Sequence, residues 1–326
     1  MMTDRSGKPR MTFCIARREA ILNSSVFIDW MPDRPRYDAL LAAGPAPLEQ
    51  AWQYGAAVSE ISRNGAARAV ISVDGRPVAA LQAAERRLPG GATLVRLTRG
   101  PVVREPAFLP EVAAALRAAW PLRRGRLLFW MPDLPAAEAQ ALLRPLGKRP
   151  MTTGYGTAWL DIAADPANLR RSLRGNWRSA LVKAEADPPV LRLTRSATDL
   201  DSFVAGYLRD RRDRRYGGPT ERLVRALAAT FGKDMFLIRA LEDGDTLAAA
   251  LFLRHGSTAT YFLSWTTPEG RGRSAAHLLV WTAIERLRGS GVRWMDLGGI
   301  DAHAPGVARF KLGTGALPVI ASGTWF

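Results

Sequence analysis

The feature that most constrains this chain is a hairpin written twice. Ala69-Val70-Ile71-Ser72-Val73 runs into Asp74-Gly75 and returns as Pro77-Val78-Ala79-Ala80-Leu81. Far downstream, Met235 to Leu241 runs into Asp243-Gly244 and returns as Leu247 to Arg254. An apolar run, an Asp-Gly pair and a second apolar run are the local signature of two antiparallel strands joined by a tight turn. The two turn glycines lie 169 positions apart. Each hairpin is followed by a strand (Thr93 to Leu97; Thr258 to Trp265), a helix (Leu109 to Trp120; Ala276 to Leu287) and another strand (Arg126 to Trp130; Val292 to Met295). Two copies of one α/β unit, with a mixed α+β sheet in each, account for this order better than two unrelated domains.

A chain of 326 residues is long enough for two domains of ordinary size. The first is expected over residues 1–162, with the strand Gly156 to Ile162 closing it, after irregular entry structure to about residue 45 and a helix from Leu48 to Ile61. Asp165-Pro166 opens the second, over 163–315, with proline in the first turn of a helix.

Composition bounds the function. Formal net charge is +16, which draws the chain to polyanions: nucleic acid, nucleotide-bearing substrates, or an anionic membrane met peripherally. Codon usage in a GC-rich genome also yields arginine over lysine, but explains the excess of basic over acidic residues less well. Cys14 is the single cysteine, which excludes an intramolecular disulfide and fits a reducing compartment. No apolar run reaches membrane-span length, and cytoplasm is the default expectation. His255, His277 and His303 show no metal-ligand spacing, and no metal is expected. Walker A and nucleophile-elbow patterns are missing too.

Two stretches can carry chemistry. The first, from Gly298-Gly299-Ile300-Asp301 through Arg309-Phe310-Lys311 to Gly315, holds five glycines in eighteen residues. That density suits a backbone that turns tightly or approaches a ligand. Lys311 is one of five lysines against 41 arginines, so a compact ammonium is a reason to keep it. An ordinary surface lysine after a buried Phe310 is the competing reading. The second stretch, Pro268-Glu269-Gly270-Arg271-Gly272-Arg273-Ser274, feeds a helix and could cradle phosphate at its N-terminus. It resembles the acyl-CoA pyrophosphate loop of GNAT acyltransferases. Arg271 takes the first position of that loop and Ala276 the last, but Ser274 stands where an inner glycine belongs. A Cβ there obstructs close approach of the pyrophosphate.

Taken with Asp296-Leu297-Gly298-Gly299 and Arg309-Phe310-Lys311-Leu312-Gly313, the tandem halves resemble the FemABX family. Those enzymes move an aminoacyl group from aminoacyl-tRNA to an amine, usually on a peptidoglycan precursor in cell-wall synthesis. Asn176 to Glu185 resembles the family's basic second-domain helix, and Gln50 to Gly55 its N-terminal helix. The resemblance implies two tandem GNAT-like acyltransferase domains, a C-terminal segment, residues 316–326, that packs back on the first, tRNA as partner, and a small-molecule or lipid-linked amine acceptor. It places Lys311 and Phe310 in a catalytic role. Gly298, Gly299, Asp301 and Arg309, with Arg209, Arg211 and Arg212 from the arginine-dense run, fall to substrate binding. That run also reads as a solvated helix face. Aminoacyl-tRNA is then a donor substrate and no cofactor is required. Acyl-CoA held by Arg271, Gly272, Arg273 and Ser274 is the alternative. The residue that the family uses for acceptor phosphates, just after the aromatic-Gly of its first helix, falls here in the uncharged Ala56-Ala57-Val58-Ser59.

Overall fold

The computed structural model describes residues 25–326, so Lys8, Cys14 and most of the expected entry segment lie outside the described residues. In the first half the strands are β1 (Val26–Asp29), β2 (Gly65–Val73), β3 (Arg76–Arg87), β4 (Thr93–Thr98), β5 (Val102–Val103) and β6 (Arg126–Met131). Its helices are α1 (Arg34–Ala42), α2 (Trp52–Ile61), α3 (Leu109–Ala119) and α4 (Ala136–Leu143). β1 and α1 therefore occupy part of the stretch expected to be irregular. The helix expected from Leu48 breaks at Ala51, whose extended ψ of 136° separates a short 3-10 turn from α2.

The second half contributes β7 (Tyr155–Asp161), β8 (Val190–Thr194), β9 (Met235–Glu242), β10 (Asp245–His255), β11 (Thr258–Thr266), β12 (Trp294–Gly299) and β13 (Leu317–Ala321). Its helices are α5 (Pro166–Ser172), α6 (Gly175–Ala186), α7 (Ala197–Asp213), α8 (Glu221–Phe231), α9 (Pro268–Gly272), α10 (Ala275–Gly289) and α11 (Pro305–Gly313).

These strands form two sheets. The first runs β1-β2-β3-β4-β6 with β5 on β3; the second runs β13-β7-β12-β11-β10-β9-β8. Both hairpins appear as expected, and both Asp-Gly turns take positive φ at both residues. The central strands of the second sheet are buried on both faces, which is why they read as continuous apolar runs. Ile238, Ala240, Ala248, Ala250 and Phe252 meet α6 and α10 on one face. Leu237, Ala249, Leu251 and Leu253 meet α7 and α8 on the other. Helix α2 of the first half packs on α8, so this second core is shared between the halves.

The strand expected to close the first half does otherwise. β7 lies within the second sheet, antiparallel to β12 on one side and to β13 on the other. An apolar strand between two similar sheets carries no local mark of which it will join. The C-terminal segment divides: Leu317–Ala321 stays on β7, and Trp325 crosses to the first half. There it exchanges backbone bonds of 2.8 and 2.7 Å with Trp130 and is buried in the first core.

Helix α5 starts as its sequence dictates. Asp165 is extended, and its carboxylate accepts from the amides of Ala167 and Asn168, with Pro166 in the first turn. Asp165→Ala is expected to cost about 1 kcal/mol, read as a urea-midpoint shift at unchanged m-value. A loss near zero would mean that water serves those amides equally well.

Candidate active site

The site begins with a parting of strands. Parallel strands β11 and β12 pair at three positions, Thr258–Trp294 to Thr260–Asp296, and then separate. β11 carries a bulge at Phe262, opposite Leu251 and Phe252, which turns the strand away. The matching pair of the first half, β4 and β6, stays in register over six positions. Only the second of these two pairs opens a cleft.

Lys311 reaches the mouth of that cleft. Its Nζ donates to the Gly299 carbonyl at 2.7 Å. At Gly298, φ +76°, an added Cβ would stand 3.5 Å from Lys311 Nζ and 3.6 Å from the Tyr261 carbonyl, ordinary van der Waals contact. The left-handed backbone, and not the space, favours glycine there. Burial pushes the Lys311 ammonium down to about 8, with Asp296 acting in the opposite direction. At neutral pH the group is a cation that can lose its proton readily.

The segment carrying Lys311, whose glycine density suggests a tightly turning backbone, is helix α11. Proline opens it, and its glycines fall at or beyond its ends, so Val307 to Leu312 can coil. Phe310 faces inward, with its ring edge-on to His277 at 5.0 Å and 6.0 Å from Trp177. Gly313 rests on Trp177, where a Cβ would come within 2.6 Å of Cδ1. The Arg174 amide donates to the Gly313 carbonyl at 2.9 Å, which fixes α11 against the start of α6.

Beneath Lys311 lies a charged cluster that joins the two halves. Arg99, at the end of β4, is 2% exposed and held at φ +51°. Its Nη1 donates to Asp296 Oδ2 at 3.0 Å and lies 3.5 Å from Glu49 Oε2, while Nε donates to Asp133 Oδ1 at 3.2 Å. The other oxygen of Asp296 accepts from Thr157 Oγ1 at 2.6 Å and from the Gly298 amide at 2.8 Å. A guanidinium of the first half thus holds the carboxylate that pins the turn to which Lys311 is bound. Burial alone lowers the Arg99 pKa, but Asp133, Glu49 and Asp296 together raise it. Burial raises Glu49 and Asp133, against the pull of Arg99. Tyr155 lies against Gly299, its hydroxyl pushed up to about 12 by burial and then by Asp296.

Of the residues singled out in the sequence, the structure brings Gly298, Gly299 and Lys311 together and sets Phe310 directly behind. Asp301 and Arg309 are exposed, Asp301 accepting from the His303 amide at 2.8 Å. Arg209, Arg211 and Arg212 ride on α7, over the opposite face of the second sheet from Phe310. Among the described residues no hydrogen bond or ion pair joins them to Lys311; Arg211 donates to the Pro219 carbonyl at 2.9 Å. The Arg271–Ser274 stretch is the end of α9 and the start of α10. The amides of Gly270, Arg271, Arg273 and Ser274 are all taken up by its own turns. Arg271 folds back on the Thr266 carbonyl, Arg273 pairs with Asp187 and Glu242, and Lys183 Nζ donates to the Gly272 carbonyl at 2.7 Å.

The fold so built, two GNAT-like halves in tandem with an open cleft in the second, is a known one. Residues 167–316 match the acetyltransferase (GNAT) domain family. Among solved structures, FemX superposes with a TM-score of 0.76 at 16% identity, over 92% of this chain and 96% of its own. A tandem GNAT protein from the clavulanic acid biosynthesis pathway gives 0.52 at 18% identity, over 93% and 98%. The C-terminal domain of a putative lysylphosphatidylglycerol synthetase from Agrobacterium fabrum gives 0.54 at 14%, over 89% of each chain. At these identities the likeness establishes a FemX-like tandem GNAT fold. A search of curated protein sequences finds no match.

Sequence reasoning did not select Glu49, Arg99, Asp133, Tyr155 or Thr157. Arg99 carried a faint signal, an arginine before Gly100-Pro101 at the end of an apolar strand. The others come together only through the crossing of β7 and the meeting of the two halves.

Proposed function

We propose that the chain transfers an aminoacyl group from aminoacyl-tRNA to an amine and forms an amide. The observation that carries this reading is the Lys311 ammonium, half-buried at the cleft mouth on the Gly299 carbonyl. An aminoacyl ester is already activated, so no enzymic nucleophile is needed. What the reaction requires is an oriented amine and a cation for the tetrahedral oxyanion. Exposed Arg171 on α5, Arg174 at the cap of α6, Arg178 on α6 and Arg309 on α11 supply basic groups suited to a phosphate backbone. FemX as structural neighbour fits the resemblance read in the sequence. The lysylphosphatidylglycerol synthetase neighbour keeps a lipid-linked acceptor beside a peptidoglycan precursor or another small amine. Such an acceptor would bring these basic groups to a membrane peripherally; no helix among the described residues is long and apolar enough to cross one.

The second reading, a CoA-dependent N-acyltransferase, is favoured by the match of residues 167–316 to the GNAT domain family. A pyrophosphate needs free amides at the loop before α10, and four of those amides are already bonded. Ser274, at φ +55°, adds a Cβ where the loop would have to close on phosphate. These two features count against a pyrophosphate at that loop. Acetyl-CoA at millimolar concentration is therefore expected to leave the melting temperature unchanged. A ligand at 100 times its dissociation constant adds about 2.7 kcal/mol, so a micromolar site would be visible. A clear upward shift would favour the CoA reading.

A turnover assay separates the two donors. A chain at +16 binds RNA whether or not RNA is its substrate, so a gel shift decides nothing. Charged tRNA carrying a labelled amino acid is offered with a small-molecule cell extract as the source of acceptor amines. Label is expected in an amide-linked product; prior ribonuclease treatment abolishes the transfer, and added salt slows it steeply. Ribonuclease-resistant transfer from acetyl-CoA would retire the aminoacyl-tRNA reading.

A further inference from the structure

A groove opens between α2 and the first sheet, lined by Glu49, Tyr54, Gly55, Gln82, Arg96 and Thr98. Its volume of about 80 Å³ is room for roughly five water molecules, and so for an aminoalkyl group. One end is Glu49, whose carboxylate lies near the same Arg99 nitrogen that holds Asp296. The groove therefore ends one guanidinium away from the site of Lys311. Arg96, which is exposed, is the one cationic residue among those lining the groove. Tyr54 feels both: burial pushes its hydroxyl up to about 12, with Glu49 adding to the rise and Arg96 opposing it.

The charges do not balance. Glu49, Asp133 and Asp296 surround the single Arg99 guanidinium. Asp296 has both oxygens occupied, and Asp133 takes two Arg99 nitrogens at 3.2 and 3.5 Å. Glu49 takes one long side-chain bond, at 3.5 Å from Arg99, besides a hydrogen bond from its own backbone amide, so its carboxylate still has acceptor capacity to spare and is a quarter exposed. A buried carboxylate in this state is stabilised by a cation. Within a chain of strongly positive charge, the groove is lined by one carboxylate, Glu49, and one guanidinium, Arg96. Val58 and Ser59 of α2 also line it, and neither supplies a cation for a phosphate.

We propose that Glu49 receives the acceptor's amino group as an ammonium and Arg96 receives the acceptor's own carboxylate, so that the acceptor is a small zwitterion such as a free amino acid or short peptide. This rests on the acyl-transfer reading above. In the step it implies, the ammonium gives one proton to Glu49 and the freed lone pair forms the C–N bond to the donor carbonyl. The ester C–O bond breaks, the second amine proton ends on the leaving hydroxyl oxygen, and Glu49 releases its proton to solvent.

The test uses the full chain, labelled aminoacyl-tRNA and three acceptors: free lysine, ornithine and glycine; their methyl esters; and hydroxylamine, which is uncharged at neutral pH. Wild type is expected to use the amino acids and hydroxylamine, every rate being taken over that without protein because hydroxylamine also cleaves aminoacyl esters unaided. Glu49→Gln should lose on the order of 100-fold with the amino acids, the scale of a general base, and at least tenfold less with hydroxylamine. Arg96→Ala should raise KM for the amino acids about tenfold at unchanged kcat, and leave the methyl esters unaffected, as expected for lost uniform binding. A melting curve of Glu49→Gln shows that the variant is folded. Equal losses with amino acids and hydroxylamine would overturn the proposal, as would a wild type that uses hydroxylamine and no amino acid. A wild type that uses none of the three acceptors overturns the acyl-transfer reading itself.

Discussion

Lys311→Met is expected to lose about 10²–10³ in turnover and to be no less stable than wild type at pH 7. The rate loss is the usual effect of removing one donor from a developing oxyanion. The stability expectation follows from proton linkage. Burial lowers the folded pKa of Lys311 from 10.5 to about 8, so between those values the unfolded chain binds more protons than the folded one. Stability therefore rises with pH across that window, and below pH 8 the folded state carries the full cost of a desolvated ammonium. Methionine keeps the aliphatic stem and removes the cost, leaving the Gly299 carbonyl to water. The same pKa predicts that wild-type kcat falls above about pH 8 as the ammonium is lost, and that the variant lacks this limb. Lys311→Arg should also be poor, since a broad guanidinium does not replace a compact ammonium beside Gly298. Full activity in the methionine variant would remove Lys311 from the mechanism.

The duplicated architecture was legible in the sequence because its signals are local. An Asp-Gly turn between two apolar runs needs nothing distant to be read, and it occurs twice. The sheet to which β7 belongs was not legible. Strand periodicity says which face a residue takes, not which partner it finds. The glycine-rich segment after β12 was identified and its shape misread. Gly306 and Gly313 flank the run Val307 to Leu312, a spacing that permits the helix the structure contains.

The same division runs through the candidate site. Lys311 stood out through composition, as a rare lysine within glycine-rich sequence. Its neighbours did not, because each is ordinary where it stands: Glu49 precedes a helix, Asp133 sits in a loop, and Thr157 lies on a strand. Only their convergence on Arg99 and Asp296 gives them meaning, and that convergence is a contact between halves. The arginines of α7 show the converse. Their density drew attention, yet they ride on the helix over the far face of the second sheet, where Arg211 donates to the nearby Pro219 carbonyl at 2.9 Å.

Arg99→Met is expected to destabilise the chain by about 3–5 kcal/mol at pH 7, the cost of removing one partner from a buried ionic group. Exposed ion pairs of this protein, such as Arg34 with Asp38, are worth at most about 1 kcal/mol. The difference is burial: the Arg99 side chain is 3% exposed, and three carboxylates depend on it. The pH dependence distinguishes this cause from simple loss of packing. In wild type, burial already raises Glu49 and Asp133, and Arg99 opposes that rise. Without the guanidinium their folded pKa values climb further above the unfolded ones. A carboxylate in that condition costs stability at pH above its folded pKa, and the cost disappears as pH falls through the folded and then the unfolded value. The deficit of Arg99→Met against wild type, measured as urea midpoints, should therefore shrink between pH 7 and about pH 5. Asp296→Asn in the same background removes one stranded charge and should recover part of the loss at pH 7, a non-additivity that a double-mutant cycle reads directly. A deficit that stays constant with pH and adds simply with Asp296→Asn would mean that Arg99 fills space between the halves and does not hold their charges together.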